Sequence, residues 1–420
     1  MRVLLLGGGG REHAIGWKLA ASPHLDHLVA APGNLGLASV AEIVPSVAAE
    51  DVAAVVALAG QRDIDLVVVG PEQPLAAGVV DALSREGIAA FGPTADSARL
   101  ESSKSYAKQV MKRAGVTSPL SIILQGSAAA GAGGMMLELV GPPYVVKADG
   151  LAAGKGVLVT EDLDAAVAWV GDCAAGRFGE AGNTVVIEEH LAGREVSVFA
   201  ICDGITAVPL QPARDYKRLG DGDTGPNTGG MGCYSPVDDL PTDLVDRAMG
   251  EVIAPVLGTL AAEGTPYRGF LYAGLMLTDD GLRVLEFNCR LGDPETQVVL
   301  PRLEDDLLPL LADAATGKLA AGDLRWSRRA AVDVVLAAAG YPGPVVAGDP
   351  ISGLDRVDDD VLVFHAGTRD DGDRLVTGGG RVLNLVGIGA DITAARAAAY
   401  VAAETVDFPG KQYRKDIASG

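Results

Sequence analysis

Three polar side chains alternate along one short segment of the sequence in a way that could support phosphoryl transfer. Residues 282–297 begin with strand-like alternation, and a period of two places Glu286, Asn288 and Arg290 on one face. A carboxylate and a neutral amide oxygen are hard ligands suited to Mg²⁺, and an adjacent arginine can bind a phosphate or carboxylate with two hydrogen bonds. The pattern therefore indicates a metal and phosphate site. A solvated amphipathic strand followed by a Gly-Asp-Pro turn is the alternative.

The size and charge of the chain limit what such a site can belong to. With 420 residues, 48% of them apolar, the chain is long enough for two to four domains. A formal net charge of −21 argues against nucleic acid and anionic membranes as partners, because both require a basic surface. No apolar run suits a signal peptide or a membrane span, and the cysteines show neither close pairs nor zinc spacing. We therefore expect a cytoplasmic protein with reduced cysteines.

Few cations are available to bind an anionic ligand in so acidic a chain. Only ten lysines occur, and those in segments of unusual composition are Lys104, Lys147, Lys155 and Lys217. Lys104 is expected near a helix N-terminus, where the helix dipole disfavours a cation, and an anionic ligand would explain its position. Other lysines are expected to be solvated surface groups, namely Lys108, Lys112, Lys318 and Lys411.

The first 92 residues alternate between apolar strands and helices, which predicts a parallel sheet covered on both faces. Glycine turns follow predicted strands at 7–12 and 70–72, and such turns place ligands at the carboxyl edge of a sheet. The dinucleotide fingerprint fails because Glu12 or His13 stands where its third glycine is required, which disfavours NAD. The first turn can still hold a phosphate or sugar through backbone N–H groups, with side-chain contacts from Arg11 and Glu12. A plain tight turn is the alternative.

A glycine-rich loop between two predicted strands, at 147–156, is a candidate flap over ATP. It lacks Walker A spacing, because Gly156 follows Lys155 where Ser or Thr is required. A mobile loop carrying Lys155 can close over phosphates, with Lys147 on the strand beneath, and a structural hairpin is the alternative. The preceding segment, 125–134, is rich in Gly and Ala and is predicted to be a flexible linker or a weakly specified loop.

The remaining segments predict a nucleoside edge, a lid and a separate C-terminal domain. Backbone carbonyls of the strand-like segments at 185–198 can accept hydrogen bonds from an adenine amino group, while Glu195 reaches ribose hydroxyls. The glycine-rich segment that follows Lys217, to residue 232, is predicted to be a long structureless lid. From about residue 330 the chain becomes β-rich. His365 and Arg381 are candidate ligand contacts there, with core or surface positions as the alternative.

Several motifs, in this order along the chain, resemble those of the phosphoribosylamine-glycine ligase family, also called glycinamide ribonucleotide synthetases, within the ATP-grasp superfamily. The segments that carry the resemblance are 7–13, 70–72, 147–156, 224–232, 286–290, 292–297 and 414–417. The similarity runs nearly from end to end. Tyr216 and Leu291 depart from the family pattern, which has His and Phe at those positions.

The resemblance implies an α/β and α+β multidomain fold. Its parts would be an N-terminal parallel-sheet pre-ATP-grasp domain (1–103), a first ATP-grasp lobe with its preceding helix and linker (104–192), a second lobe (193–325) and a β-rich C-terminal domain (326–420). The two lobes would clasp ATP between them.

The resemblance also implies the second step of purine biosynthesis. ATP, glycine and 5-phosphoribosylamine would give glycinamide ribonucleotide, ADP and phosphate, and we expect a glycyl phosphate intermediate. The cofactors would be ATP and Mg²⁺ or Mn²⁺, the partners only these small molecules, and the protein a monomer, with a weak dimer as the alternative. Another ATP-grasp ligase, such as a carboxylase acting through carboxyphosphate, and a nucleotide-binding regulator without turnover stay open as alternatives.

Residue roles follow from the matched motifs together with the spacing described above. The expected metal ligands are Glu286 and Asn288. The expected ATP contacts are Lys104, Lys147, Gly154, Lys155, Gly156, Glu188, Glu189, Leu191, Glu195, Lys217 and Asn227. The expected substrate contacts are Gly9, Gly10, Arg11, Glu12, Glu72, Asp215, Arg290, Asp293, Glu295 and Arg381. The residues expected to act in catalysis are Arg290, Lys155 and Asp293.

Overall fold

Residues 2–114 alternate between strands and helices, and all five strands pair in parallel. In chain order the elements are β1 (Arg2–Gly7), α1 (Gly10–Ala20), β2 (His27–Pro32), β3 (Glu42–Ile43), α2 (Val52–Gln61), β4 (Leu66–Val69), α3 (Glu72–Ala76), α4 (Val79–Arg85), β5 (Ala89–Phe91), α5 (Ala95–Ser102) and α6 (Lys104–Ala114). The strand order β3-β2-β1-β4-β5 places the glycine turns after β1 and β4 side by side. The predicted parallel sheet is therefore confirmed in this computed structural model, which describes residues 1–151, 156–372 and 374–419.

Local signals explain where these helices begin and end. The Glu12 carboxylate accepts a hydrogen bond from Gly9 N at 2.6 Å, which closes the first turn of α1. Ser103 caps α6 by accepting from Tyr106 N at 3.2 Å. Gly78 adopts a left-handed conformation (φ 82°) that separates α3 from α4.

Residues 121–188 form a four-stranded antiparallel sheet with two helices, called here the first lobe. The elements are β6 (Ser121–Gln125), α7 (Ser127–Val140), β7 (Tyr144–Ala148), β8 (Val157–Thr160), α8 (Leu163–Ala174) and β9 (Thr184–Glu188). The sheet order is β6-β9-β7-β8. Strands β7 and β8 pair from Tyr144 opposite Thr160 to Lys147 opposite Val157, so the two strands predicted on either side of the glycine-rich loop are confirmed.

The predicted linker at 125–134 is wrong, because this segment forms the end of β6 and most of α7. Alanine is the strongest helix former, and three alanines precede Gly131. At Gly133 a Cβ would lie 2.7 Å from Val170 Cγ1 of α8, so glycine permits close packing of the two helices. Packing on α8 stabilises a segment whose composition alone resembles that of a linker.

Residues 194–316 contain a second antiparallel sheet and the segments around it, called here the second lobe. The elements are β10 (Arg194–Asp203), β11 (Ala207–Pro209), β12 (Arg214–Asp215), β13 (Arg218–Gly220), β14 (Thr224–Asn227), β15 (Gly232–Ser235), α9 (Leu244–Ala248), α10 (Ala254–Ala262), β16 (Arg268–Thr278), β17 (Gly281–Asn288), α11 (Thr296–Val299) and α12 (Leu307–Thr316). Its main sheet has the order β11-β10-β16-β17.

The predicted long structureless lid after Lys217 is also wrong. The β13–β14 hairpin and β15 occupy most of it, with Arg218 paired opposite Asn227. Gly222 and Asp223 adopt positive φ values of 64° and 54°, which turn the chain tightly between the two strands. Glycine abundance here reflects tight turns, which composition cannot distinguish from disorder.

The C-terminal part is β-rich, as predicted. Its elements are β18 (Ala330–Ala337), β19 (Val361–His365), β20 (Thr368–Asp370), β21 (Leu375–Thr377), β22 (Arg381–Gly389) and α13 (Ile392–Thr405). The sheet order is β12-β15-β18-β22-β19, so two strands from residues 214–235 complete this sheet. The sheet therefore joins the second lobe to the C-terminal part.

In the described parts of the chain, four buried apolar clusters hold these units together. One fills the space between one face of the N-terminal sheet and the second lobe, and another joins its other face to α11, α12 and the C-terminal sheet. A third lies between the C-terminal sheet and α13. The fourth lies within the first lobe alone. The first lobe thus has a core of its own.

Candidate active site

The two predicted metal ligands lie on the same face of β17. In the register with β16, Gly274 lies opposite Glu286 and Tyr272 lies opposite Asn288. A Cβ on Gly274 would lie 3.2 Å from the Cγ atom of Glu286, so this glycine leaves space for the carboxylate. Both polar side chains are half-buried, and the periodicity on which their assignment rests is confirmed.

Cations from three different elements surround Glu286. Burial acts to raise the pKa of Glu286, but the positive charges of Lys217, Lys147 and Lys104 outweigh it and the pKa is lowered. Burial lowers the pKa of Lys104, and the charge of Lys147 lowers it further. A site in which ammonium groups repel each other around one carboxylate favours an additional anion, such as a triphosphate.

Lys147 is held by a buried carboxylate on the neighbouring strand. Its ammonium lies 2.8 Å from Glu188 Oε2, and Lys108 lies 2.9 Å from Glu188 Oε1. Glu188 is 2% exposed, and the two ammonium charges lower its pKa although burial acts to raise it. The expectation that Lys108 is solvated is wrong, since its side chain is 7% exposed and ion-paired.

Lys411 likewise lies against the protein and is not a solvated group, because its ammonium donates to Ala403 O at 2.9 Å. Lys112 and Lys318 are exposed, as expected. The same expectation was made for all four lysines, and only their tertiary positions separate the buried ones from the exposed ones.

Lys217 completes the cluster from the other side. Its ammonium pairs with Glu195, and it faces the carboxylates of Asp215 and Glu286. Burial raises the pKa of Asp215, and the nearby charges of Glu295 and Glu195 raise it further. The charge of Lys217 opposes these effects at Asp215 and lowers the pKa of Glu286.

Arg290 lies between two carboxylates, one of which the sequence analysis missed. Its guanidinium is 3.3 Å from Glu72 Oε2 and 2.8 Å from Glu101 Oε1. Glu101 also accepts hydrogen bonds from Cys289 N at 2.8 Å and Cys289 Sγ at 3.0 Å. Glu101 lies at the end of α5, three residues before Lys104. This proximity to Lys104 was the only signal in the sequence that could have identified Glu101 as a site residue.

Several polar groups meet at the glycine turn after β1. Arg11 pairs with Glu12 at 2.6 Å and donates to Leu291 O at 3.3 Å, which connects this turn to the segment after Arg290. Asn34, which the sequence analysis missed, donates to Gly8 O and Gly9 O at 3.0 and 3.2 Å. Asn34 follows β2, so its position after a parallel strand was a usable signal.

Asp293 and Arg381 form an ion pair between the second lobe and the C-terminal sheet. The guanidinium of Arg381 lies 2.9 Å from Asp293 Oδ2 and donates to Gly229 O at 2.7 Å. Gln297, also missed, donates to Asp293 Oδ1 at 2.7 Å. Together with Gly9, whose Cβ would lie 3.6 Å from Asp293 Oδ2, these groups form one polar cluster.

The remaining predicted contacts are placed less closely. Gly154 and Lys155 lie outside the described residues. The carbonyl of Gly156 accepts from Ala148 N at 2.8 Å, and Glu189 is engaged by Leu120 N at 2.8 Å. The other predicted residues lie as follows: Leu191 and Asn227 are half-buried, Gly10 begins α1, and Glu295 is buried within reach of Ser197 Oγ at 3.3 Å.

The site does not contain a self-sufficient metal centre in the part of the chain that the structure describes. No group of three or more His, Cys, Asp or Glu side chains could hold an ion there. The carboxylate of Glu286 and the amide oxygen of Asn288 are of the donor type that suits a hard cation such as Mg²⁺. Within the same ranges, none of the helices has the length and apolar character needed to cross a membrane.

Family models match most of the chain. They describe the N domain (residues 1–101), the ATP-grasp (A) domain (102–296) and the C domain (331–420) of phosphoribosylglycinamide synthetase. A phosphoribosylamine-glycine ligase of Streptomyces coelicolor is 51% identical, over 100% of this chain and 99% of that relative. One of Caulobacter vibrioides is 50% identical, over 99% and 97%.

Solved structures agree in fold. The phosphoribosylamine-glycine ligase of Thermotoga maritima aligns with a TM-score of 0.84 at 36% identity, over 99% of this chain and 100% of that one. The biotin carboxylase domain of a Hydrogenobacter thermophilus 2-oxoglutarate carboxylase aligns at 0.73 and 16% identity, over 98% of this chain and 91% of that one, a likeness of fold alone. The predicted N-terminal parallel sheet, ATP-grasp domain and C-terminal β-rich domain are confirmed, and the chain belongs to the phosphoribosylglycinamide synthetase family.

Proposed function

We propose that the chain is an ATP-dependent ligase that joins glycine to 5-phosphoribosylamine, giving glycinamide ribonucleotide, ADP and phosphate in purine biosynthesis. Relatives about 50% identical over their full length are named phosphoribosylamine-glycine ligase. The structural observation that carries the proposal is the convergence of Lys104, Lys147 and Lys217 on Glu286, which suits a triphosphate.

Three lysines and two oxygen ligands would hold the nucleotide. Lys104, Lys147 and Lys217 would contact phosphate oxygens, and Glu286 and Asn288 would hold Mg²⁺ or Mn²⁺. The ion would neutralise charge on the phosphates during transfer. Because Glu188 already binds two lysines, its carboxylate would position Lys147, while the backbone near Leu191 and the Glu195 side chain would contact the nucleoside.

The reaction would proceed in two displacements. A carboxylate oxygen of glycine attacks the γ-phosphorus of ATP, the bond to the β–γ bridging oxygen breaks, and ADP leaves with the electron pair. The amine nitrogen of phosphoribosylamine then attacks the carbonyl carbon of glycyl phosphate, inorganic phosphate leaves, and the nitrogen loses a proton to form the amide. No side-chain nucleophile is needed, since positioning and charge neutralisation supply most of the catalysis.

Arg290 is placed to serve both steps. Glu72 and Glu101 hold its guanidinium beside β17, so it would neutralise the transferred phosphoryl group. Phosphoribosylamine would lie across the turn at Gly9–Glu12 and Glu72, with Asp293 and Arg381 on its other side. Closure of the 149–156 flap would exclude water from the acyl phosphate.

The direct test is ADP release with ATP, Mg²⁺, glycine and phosphoribosylamine, with each component omitted in turn. Release that requires both glycine and phosphoribosylamine is expected. Bicarbonate-dependent release without glycine would instead favour a carboxylase, and tight ATP binding with no turnover for any acceptor would favour a regulator. Either result would overturn the proposal.

We also propose that the enzyme works as a monomer in the cytoplasm, with a weak dimer as the alternative. Its four cysteines are free and buried, as expected of reduced thiols. Sedimentation at micromolar concentrations tests the monomer, and a concentration-independent dimer would contradict it.

A further inference from the structure

The last residues of the chain cover the turn that follows Lys217. Residues 413–419, called here the tail, contain Arg414, which is 1% exposed and is among the largest fully buried side chains of the protein. Removing a guanidinium from water is costly unless its donors are paired, so the partners of this buried arginine require an explanation.

Arg414 binds the two residues on either side of Lys217. Its NH1 group donates to Arg218 O at 3.2 Å, and its guanidinium carbon lies 4.7 Å from the centre of the Tyr216 ring. The same NH1 group lies 2.7 Å from Asp223 Oδ1, at the turn between β13 and β14. Its Nε and NH2 groups donate to Asp416 at 2.7 and 2.6 Å, which fixes the orientation of the guanidinium.

The rest of the tail reinforces this contact. Gly222 N donates to Asp416 Oδ2 at 2.8 Å, and Lys415 N donates to Asp221 Oδ1 at 2.7 Å. Ala418 N donates to the hydroxyl of Tyr216 at 2.9 Å. The tail and the segment around the β13–β14 turn therefore donate hydrogen bonds to each other, although the two segments are 190 or more residues apart in sequence.

The residue before Lys217 is bonded to the C-terminal sheet, because Tyr216 N donates to the carbonyl of Gly232, the first residue of β15, at 3.0 Å. Lys217 itself is bonded to the segment that follows β14. Its carbonyl accepts from Thr228 N at 2.7 Å and from Thr228 Oγ1 at 2.9 Å, both within the same hairpin segment. The β13–β14 hairpin forms a two-stranded sheet between β12 and β15, which belong to the C-terminal sheet, and the tail adds contacts to its turn. From this backbone the Lys217 ammonium reaches Glu195 and faces Glu286.

We propose that Arg414 is a positioning residue for the ligase reaction, which holds Lys217 at the nucleotide site by clamping Tyr216, Arg218 and Asp223. This inference rests on the proposed function, because Lys217 is assigned there to the phosphates of ATP. Arg414 contacts neither ATP nor substrate, and it acts only through the segment it holds.

A double-mutant cycle separates positioning from general stability. Arg414→Gln should reduce kcat/KM for ATP in glycine-dependent ADP release by about 10-fold, since a displaced catalytic group loses rate steeply with distance. Lys217→Gln should have a larger effect, and Arg414→Gln added to Lys217→Gln should cause no further loss. Lys415→Gln, which removes an exposed positive charge next to Arg414, is the matched control and should equal wild type.

Two outcomes would overturn the proposal: losses that multiply in the double variant, or an Arg414→Gln enzyme within twofold of wild type. If Arg414→Gln does not fold, Asp223→Asn replaces it, because the Asp223 side chain is 70% exposed and supplies only one arm of the clamp. It should show a smaller loss that also disappears with Lys217→Gln.

The proposed function and this inference fail in different ways. Wild-type protein that releases no ADP with glycine and phosphoribosylamine contradicts the function, whatever the variants do. The rise in melting temperature on adding Mg·ATP then tests the clamp without turnover. Arg414→Gln should diminish that rise, and an unchanged rise would refute the clamp.

Discussion

Glu286 keeps its charge in a shielded position because the cations around it outweigh the penalty of burial. The charges of Lys217, Lys147 and Lys104 lower its pKa, so the carboxylate is ionised at neutral pH. An ionised carboxylate beside an amide oxygen is a suitable pair of ligands for Mg²⁺. The negative charge that Glu286 would offer a metal ion thus depends on the neighbouring lysines.

Replacing Glu286 with alanine should abolish this site. We expect Glu286→Ala to reduce glycine-dependent ADP release by about 10²-fold or more, as expected when a group that stabilises transition-state charge is lost. Asp279→Ala, at the exposed turn between β16 and β17, is the matched control and should retain full activity. A near-normal rate with normal Mg²⁺ dependence in Glu286→Ala would show that the metal binds elsewhere.

At Asp333, in contrast to Glu286, burial outweighs the nearby positive charge. It is 0% exposed in β18, and burial together with the charge of Asp293 raises its pKa well above the usual range, although Arg381 opposes this. The folded state therefore keeps a proton that the unfolded chain loses near pH 4. Its contribution to stability is present at low pH and is lost as pH rises toward the folded-state pKa.

Asp333→Asn should remove that pH dependence. Relative to wild type, its free energy of unfolding should improve by up to about 1.4 kcal/mol for each pH unit above the unfolded-state pKa, in urea titrations between pH 5 and 8. Asp280→Asn, in the exposed β16–β17 turn, should show no such trend. A difference between Asp333→Asn and wild type that stays constant across this range would mean that Asp333 is ionised in the folded protein.

At the scale of elements, α7 illustrates how packing can override composition. Gly131 and Gly133 lie two residues apart in the same helix, yet only Gly133 faces a neighbour. A Cβ on Gly131 would meet nothing within 4 Å, whereas one on Gly133 would lie 2.7 Å from Val170 Cγ1. A methyl group at Gly131 would therefore have free space, whereas one at Gly133 would clash with Val170.

Alanine at these two positions should have opposite effects. Gly131→Ala should raise the free energy of unfolding by about 0.5–1 kcal/mol, because alanine loses less backbone entropy in a helix. Gly133→Ala should lower it by about 1–3 kcal/mol, because the stiff Val170 side chain must shift. Urea denaturation measures both, and equal effects would imply that 127–140 is not a helix packed on α8.

At the scale of the whole molecule, the apolar clusters define how the chain unfolds. The clusters of the N-terminal sheet extend into the second lobe and, through Phe364 and Val386, into the C-terminal sheet. Among the residues that the structure describes, the cluster of the first lobe contains residues of that lobe alone. The first lobe should therefore open without disrupting the remainder.

Native-state hydrogen exchange should detect this difference. Amides of β6, β7 and β9 are expected to exchange through openings of lower free energy than those of β1, β10 and β18. Mg·ATP should slow exchange in the first lobe most, because it would bind beside β7 through Lys147. First opening in β18 and β22 would contradict the assignment of cores.

The sequence by itself determined what depends on near neighbours. Alternation placed Glu286 and Asn288 on one face, apolar strands alternating with helices predicted the parallel sheet, and the order of motifs identified the family. Each of these signals repeats over two to four residues or lies within one continuous motif. These signals can be recognised without knowledge of the fold because local backbone geometry produces them.

Only the tertiary structure decided which charges meet. Glu101 binds Cys289 across 188 residues, Lys108 pairs with Glu188, and Arg414 reaches the segment around Lys217. Composition likewise failed at α7, where contact with Val170 stabilises a glycine-rich helix. The physical reason is that ion pairing and close packing depend on distances in space, and chain folding sets those distances independently of separation along the sequence.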